Sequence, residues 1–129
     1  MLHEKREDQI SNLVIRECLK IHRSVGPGLF ESVYEKILHH ELTGIGLMVN
    51  RQVPIKVMYN SLDFGIGFKA DLIIENLVIV ELKSVECILP VHEKQLMTYL
   101  KLTGMKLGML VNFDVNLLKD GITRVVNNL

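Results

Sequence analysis

Two acids and a lysine interrupt an otherwise apolar stretch: Asp71, Glu81 and Lys83 all lie within FKADLIIENLVIVELKS, residues 68–84. The stretch reads as two strands joined by a tight turn, which puts all three in the middle of a sheet. A charged group there is costly unless it is paired or ligates a metal. Glu81 and Lys83 are two apart on one strand, so they share a face. Leu77 and Ile79 precede them on that face, which begins apolar and ends charged. Asp71 lies at a matching depth on the neighbouring strand. Two carboxylates converging with a lysine could hold a cation and orient a water or a phosphate oxygen. The competing reading is a buried Glu81–Lys83 or Asp71–Lys83 ion pair without chemistry.

A shared site imposes a condition on the turn. If Glu75 and Asn76 form a two-residue hairpin turn, Val80 pairs with Asp71 and Ala70 with Glu81. Cross-strand partners share a face, so the two carboxylates would then point to opposite sides of the sheet. A common site requires a three-residue turn or a β-bulge, and unbranched Ala70 and nearby Gly67 favour the first strand as its place.

Two helices must carry further polar groups to the same place. Over residues 29–45, Phe30, Val33, Tyr34, Ile37, Leu38, Leu42 and Ile45 form an apolar arc, ended by Gly44 and Gly46. Glu31 falls inside that arc, one turn before Tyr34, so it should face the sheet, with Tyr34 as a candidate lining residue. A helix over 90–103 opens at Pro90 and closes at Gly104. On it His92, Gln95 and Tyr99 share one flank beside the core stripe of Leu96 and Leu100, which suggests a polar pocket between helix and sheet. A helix-start role competes for His92, and a structural hydrogen bond for Gln95 and Tyr99.

The remaining elements complete the frame. Ile10, Leu13, Val14, Cys18, Ile21 and Val25 make one stripe of a helix over 5–24, with Arg16, Lys20 and Arg23 on its solvated face. SVGPG breaks that helix. In RQVPIKVMY, Val53, Ile55, Val57 and Tyr59 alternate as a strand, and Pro54 confines it to an edge or an irregular start. NSLDFG then turns the chain. Further strands are expected at 105–113 and 121–127. The order is helix, helix, three strands, helix, two strands: an α/β fold, a mixed sheet flanked by helices, in one domain over 1–129. The first three strands can be antiparallel, and the strand after the 90s helix joins by a crossover.

The 129 residues are 48% hydrophobic and 23% charged, an ordinary globular balance. Lys plus Arg and Asp plus Glu are 15 each, so there is no basic excess of the kind a strong nucleic-acid binder shows. Attraction for phosphate would have to come from a metal and from a few cations such as Arg51, Lys56 and Lys69. Cys18 and Cys87 belong to no ligand cluster and read as reduced thiols of an intracellular protein. No apolar run approaches the ~18 residues of a membrane span. MLHEKREDQI is charged with no apolar segment after it, so no secretory signal is expected, and the expected location is cytoplasmic.

GLFESVY, with Gly28, Glu31 and Tyr34, resembles the motif that names the GxxExxY protein family. The resemblance continues through RQVPI, KADLIIENLVIVELKSVE, PVHEKQLMTYL, LGMLVNF and LKDGITRVVN, nearly the whole chain after the first helix. That family is similar to the PD-(D/E)XK nuclease-like superfamily, with its restriction-endonuclease-like core. The resemblance implies a metal-dependent nuclease that hydrolyses phosphodiester bonds with Mg²⁺ or Mn²⁺. By position it makes Asp71 the acid of the second core strand, and Glu81 and Lys83 the acid and lysine of (D/E)XK. Glu31 becomes the acid of the first core helix and joins Asp71 and Glu81 as a metal-binding group. Gln95 and Tyr99 resemble a QxxxY helix motif, which adds Gln95 to the catalytic set. Ala70 stands where a proline often precedes the acid. Flanked by two carboxylates, Lys83 is better suited to orienting the attacking water and stabilising transition-state charge than to acting as a base. The implied partner is nucleic acid, DNA ahead of RNA, with a homodimer the simplest way to cut both strands of a duplex. Two alternatives remain: a non-catalytic nucleic-acid-binding or interaction module on the same fold, and an enzyme acting on another phosphate ester.

Overall fold

Two helices open the chain in the structure, a computed structural model that describes residues 4–129: α1, Arg6–Val25, and α2, Glu31–Gly44. Strands β1 (Val49–Tyr59), β2 (Leu62–Ile74) and β3 (Val78–Lys83) follow, then α3 (Pro90–Thr103), β4 (Leu107–Asn112), a 3-10 turn at Leu118–Gly121 and β5 (Ile122–Val126). The NSLDFG segment is mostly strand. Only Asn60 and Ser61 make the turn, both left-handed at φ 50° and 61°, a conformation that Asn adopts more readily than most residues.

The five strands lie in the order β1-β2-β3-β4-β5. β1–β2, β2–β3 and β4–β5 are antiparallel, while β3 and β4 run parallel. Parallel neighbours need a crossover, and α3 supplies it across one face of the sheet. Gly104, left-handed at φ 75°, caps α3 and releases the chain into β4. The sheet therefore has two covered faces. On one, Ile10, Val14 and Cys18 of α1 and Leu38 and Leu42 of α2 pack on Leu72, Ile74, Val78, Val80 and Leu82. On the other, Leu96 and Leu100 of α3 pack on Ala70, Ile73, Ile79 and Leu110. On β3 the alternation is strict, so Glu81 follows Ile79 onto the α3 side, with Lys83 next in line.

The β2–β3 register answers the question posed by the turn. Leu72 pairs with Val80, Ile73 with Ile79 and Ile74 with Val78. Three residues, Glu75, Asn76 and Leu77, thus separate the last pair, one more than a two-residue hairpin. Glu75 and Asn76 are both left-handed at φ 54°, and the Leu77 N–H bonds the Ile74 carbonyl at 2.9 Å. Leu77 is the added residue, and it slips the strands by one so that the line of Asp71 meets that of Glu81. The extra residue lies in the turn and not in the first strand. The bulge at Gly67 exists, but in the pairing with β1, where Ile55 faces Phe68 and Lys56 faces Ile66. A Cβ at Gly67 would collide with the Val57 side chain.

A second irregularity falls on Asp71 itself. Ala70 packs in the α3-side cluster and Leu72 in the α1/α2-side cluster, although two-residue spacing should put both on one face. The register with β1 continues across this point, Val53 with Ala70 and Arg51 with Leu72, leaving Gln52 opposite Asp71. Gln52 is left-handed at φ 50°. Both strands change face at this pair, and that leaves Asp71 on the α3 side with Glu81.

Candidate active site

A cavity of about 220 Å³ opens where β2, β3, α2 and α3 meet. Its polar wall is Glu31, Lys69, Asp71, Glu81, Lys83, His92, Gln95 and Tyr99, and its apolar floor is Leu96 and Leu110. Seven of these polar residues are the acids, the lysine and the helix flank singled out above; Lys69, noted above only as a cation near the sheet face, is the eighth.

Asp71 and Glu81 form its centre. Asp71 Oδ2 accepts the Leu82 N–H at 2.9 Å, so the side chain takes a donor just beyond the last β2–β3 backbone pair. Glu81 is only 7% exposed. Its Oε1 is buried and has no hydrogen-bond partner among the described residues, an arrangement that folded proteins rarely tolerate. Burial first, and the neighbouring Asp71 charge second, push the Glu81 carboxyl up from its ordinary 4.5 to about 9, partly offset by Lys83. Tyr99 is shifted upward as well, by burial and then by the charges of Glu81 and Asp71. Its ring stacks on Phe68 with centroids 3.6 Å apart, which fixes one side of the cavity.

An orphaned buried oxygen beside a second carboxylate is the donor set that a hard divalent cation relieves. Asp71 and Glu81 fit Mg²⁺ or Mn²⁺ in this respect. Glu31 fits less fully. It lines the cavity from the first turn of α2, but its Oε1 accepts the Ser84 N–H at 3.0 Å. Among the described residues, no three His, Cys, Asp or Glu side chains gather into a metal cluster. All three carboxylates line the one cavity, with Glu31 held by the backbone just past the end of β3.

Tyr34 is elsewhere. Helical spacing put it beside Glu31, but the ring is fully buried on the α1/α2 side and stacks on Phe113 at 4.1 Å. Its hydroxyl donates to the Gly26 carbonyl at 2.6 Å and accepts the Leu29 N–H at 3.1 Å. Tyr34 thus clamps the SVGPG loop and sets where α2, and with it Glu31, begins. Tyr34→Phe should lower stability by about 1–2 kcal/mol, the worth of a buried hydrogen bond whose partners are left unsatisfied. Any cleavage rate should stay within about twofold, since the ring does not reach the cavity. Thermal melts run beside a cleavage assay check both.

His92 lines the cavity and also has the helix-start role: its Nδ1 accepts the Leu89 N–H at 2.9 Å. Two contributions are not in the sequence reading. Asn112, 1% exposed, accepts the Val85 N–H at 3.1 Å and donates to the Val85 carbonyl at 2.9 Å, pinning the chain just after Lys83. Glu35, 4% exposed, binds Arg51 and Gln52 of β1. The available signal for Glu35 was its place one helical turn after Glu31. Neither cysteine takes part: Cys18 is buried with its thiol pushed up by burial, and Cys87 is exposed and free. Among the described residues, no helix is long and apolar enough to cross a membrane.

The five-stranded mixed sheet with three helices is a restriction-endonuclease-like α/β fold, and two acids and a lysine converge on it at adjacent strands. The chain belongs to the PD-(D/E)XK nuclease superfamily, whose family model matches residues 8–125. No curated protein and no solved structure matches it. Nucleases of this superfamily generally use divalent metals, and the family implies a nucleic-acid substrate.

Proposed function

We propose that the protein is a metal-dependent nuclease of the GxxExxY type that hydrolyses phosphodiester bonds in nucleic acid at the Asp71–Glu81–Lys83 cavity. One observation carries the reading: the buried Glu81 oxygen, which has no hydrogen-bond partner among the described residues, lies beside Asp71 in a cavity that Lys83 also lines. Two carboxylates this close need a proton or a cation between them, and a divalent cation is what nucleases of this superfamily generally use. Asp71 and Glu81 would hold Mg²⁺ or Mn²⁺, with Glu31 assisting from the same cavity. When bound, the ion would supply Lewis-acid polarisation of the scissile phosphate and a more acidic water. Lys83 contributes an ammonium that orients the attacking water and stabilises charge on the phosphate oxygens. Gln95 and Tyr99 line the α3 wall and position the substrate, with His92 at its edge. Lys69 adds a cation at the mouth, which matters in a chain of zero net charge.

A second reading, a non-catalytic nucleic-acid-binding or interaction module, draws on the absence of a three-acid cluster among the described residues. A cleavage assay with Mg²⁺ or Mn²⁺ on single-stranded, duplex and branched DNA and RNA separates the two. Metal-dependent products that vanish in excess EDTA support the nuclease. Binding without cleavage of any substrate leaves the module. The same panel chooses between DNA, the favoured substrate, and RNA.

A further inference from the structure

Gln52 is a non-glycine residue held left-handed, at φ 50°, in the middle of a strand. The conformation is unfavourable for a residue with a Cβ, and no turn requires it here. What it accomplishes is visible in the contacts. The Gln52 Nε2 donates to Glu35 Oε1 at 2.6 Å and lies 3.4 Å from Asp71 Oδ1. An amide nitrogen carries two hydrogens, so one group can serve both carboxylates. Glu35 is in turn fixed, since the Arg51 side chain donates to its Oε2 at 3.0 Å. Glu35 is nearly inaccessible, and a buried carboxylate with its charge matched and both oxygens engaged is a rigid anchor.

The chain of contacts runs from α2 through β1 to the acid of the cavity. It ends at the one pair, Gln52 opposite Asp71, where both strands change face. Asp71 thus has a donor on each oxygen: the Leu82 N–H on Oδ2 and the Gln52 amide on Oδ1. The contact of 3.4 Å is long for a hydrogen bond, so the amide's effect is on orientation more than on charge. Each oxygen keeps a further lone pair free to face the cavity.

We propose that Gln52, anchored by buried Glu35 and Arg51, is a positioning residue that orients the Asp71 carboxylate for cation binding. It touches neither substrate nor reacting atoms and acts only through Asp71. The inference rests on the reading of Asp71 as a cation ligand. Groups that orient a ligand in this way typically change metal affinity or activity by about 10- to 100-fold.

Gln52→Gly is the discriminating variant, because glycine accepts the left-handed backbone while deleting the amide. Asn60→Gly, at a left-handed position in the distant hairpin turn, is its control. Mn²⁺ affinity is measured by calorimetry on metal-free protein, beside thermal melts. The expected result is a loss of about tenfold or more in Mn²⁺ affinity for Gln52→Gly, with a folded protein whose melting temperature falls only by what the lost hydrogen bond to buried Glu35 explains. Asn60→Gly should bind Mn²⁺ as wild type does. In the cleavage assay kcat falls while KM for nucleic acid is unchanged, whereas a purely structural role would move the melting temperature alone and leave the Mn²⁺ affinity at the wild-type value. Wild-type Mn²⁺ affinity in a folded Gln52→Gly protein overturns the inference and leaves the metal site standing. No Mn²⁺ binding by the wild type removes the metal reading and the inference together. Should the glycine variant not fold, Gln52→Asn, which tolerates the same backbone but cannot span both carboxylates, gives the same test.

Discussion

Glu81→Gln should abolish metal-dependent cleavage and at the same time stabilise the metal-free protein. The loss should be on the order of a thousandfold or more in kcat, because a bound cation's charge stabilisation is worth several kcal/mol and each ~1.4 kcal/mol is tenfold. The gain follows from linkage. Burial and the Asp71 charge raise the folded Glu81 carboxyl to about 9, against 4.5 when unfolded. Its contribution to stability is therefore full below 4.5 and is lost as pH rises through about 9. Glutamine has the same shape and no proton to release. At pH 7 the variant should exceed wild type by roughly 3 kcal/mol, and by more at pH 9. Thermal melts in EDTA at pH 5, 7 and 9 measure it. Curves for the two proteins that stay parallel across this range would show that Glu81 is not the strained group described here. Added Mn²⁺ should narrow the gap by stabilising wild type alone.

Lys83→Ala should have the second largest effect, and of a different kind. Cleavage should fall by about 100- to 1,000-fold, the range for removing one group that stabilises developing charge. Mn²⁺ affinity should not fall with it, since removing a nearby positive charge favours a cation. Activity measured at saturating Mn²⁺, together with calorimetry, separates the two quantities. A parallel loss of binding and cleavage would make Lys83 part of the architecture of the site and not of its chemistry.

Much of this arrangement was legible in the residues because local rules governed it. The two-residue period of VIVELK placed Glu81 and Lys83 with Ile79, and the α3-side core is built that way. The flank of His92, Gln95 and Tyr99 faces the cavity because the 3.6-residue period puts it beside Leu96 and Leu100. The need for one extra residue between Asp71 and Glu81 was also readable, but its place was not. Two left-handed residues, Glu75 and Asn76, let Leu77 be added at the turn; Asn76 suits that backbone, but nothing in Glu75 announces it. Tyr34 shows the opposite failure. Spacing along α2 placed it next to Glu31, yet a ring on an amphipathic helix follows the nearest apolar layer, here Phe113, and its hydroxyl follows the loop. Gln52 and Glu35 could not be found by periodicity, since their roles depend on a backbone kink and on a contact 17 residues apart in the chain.

Crystals of the wild-type protein soaked in Mn²⁺, with anomalous scattering recorded at the manganese edge, test the cation site itself. The account predicts a peak in the cavity at Asp71 and Glu81, and no such peak in Glu81→Gln. A wild-type map without a peak between these two carboxylates, or with manganese only at surface acids, would contradict it.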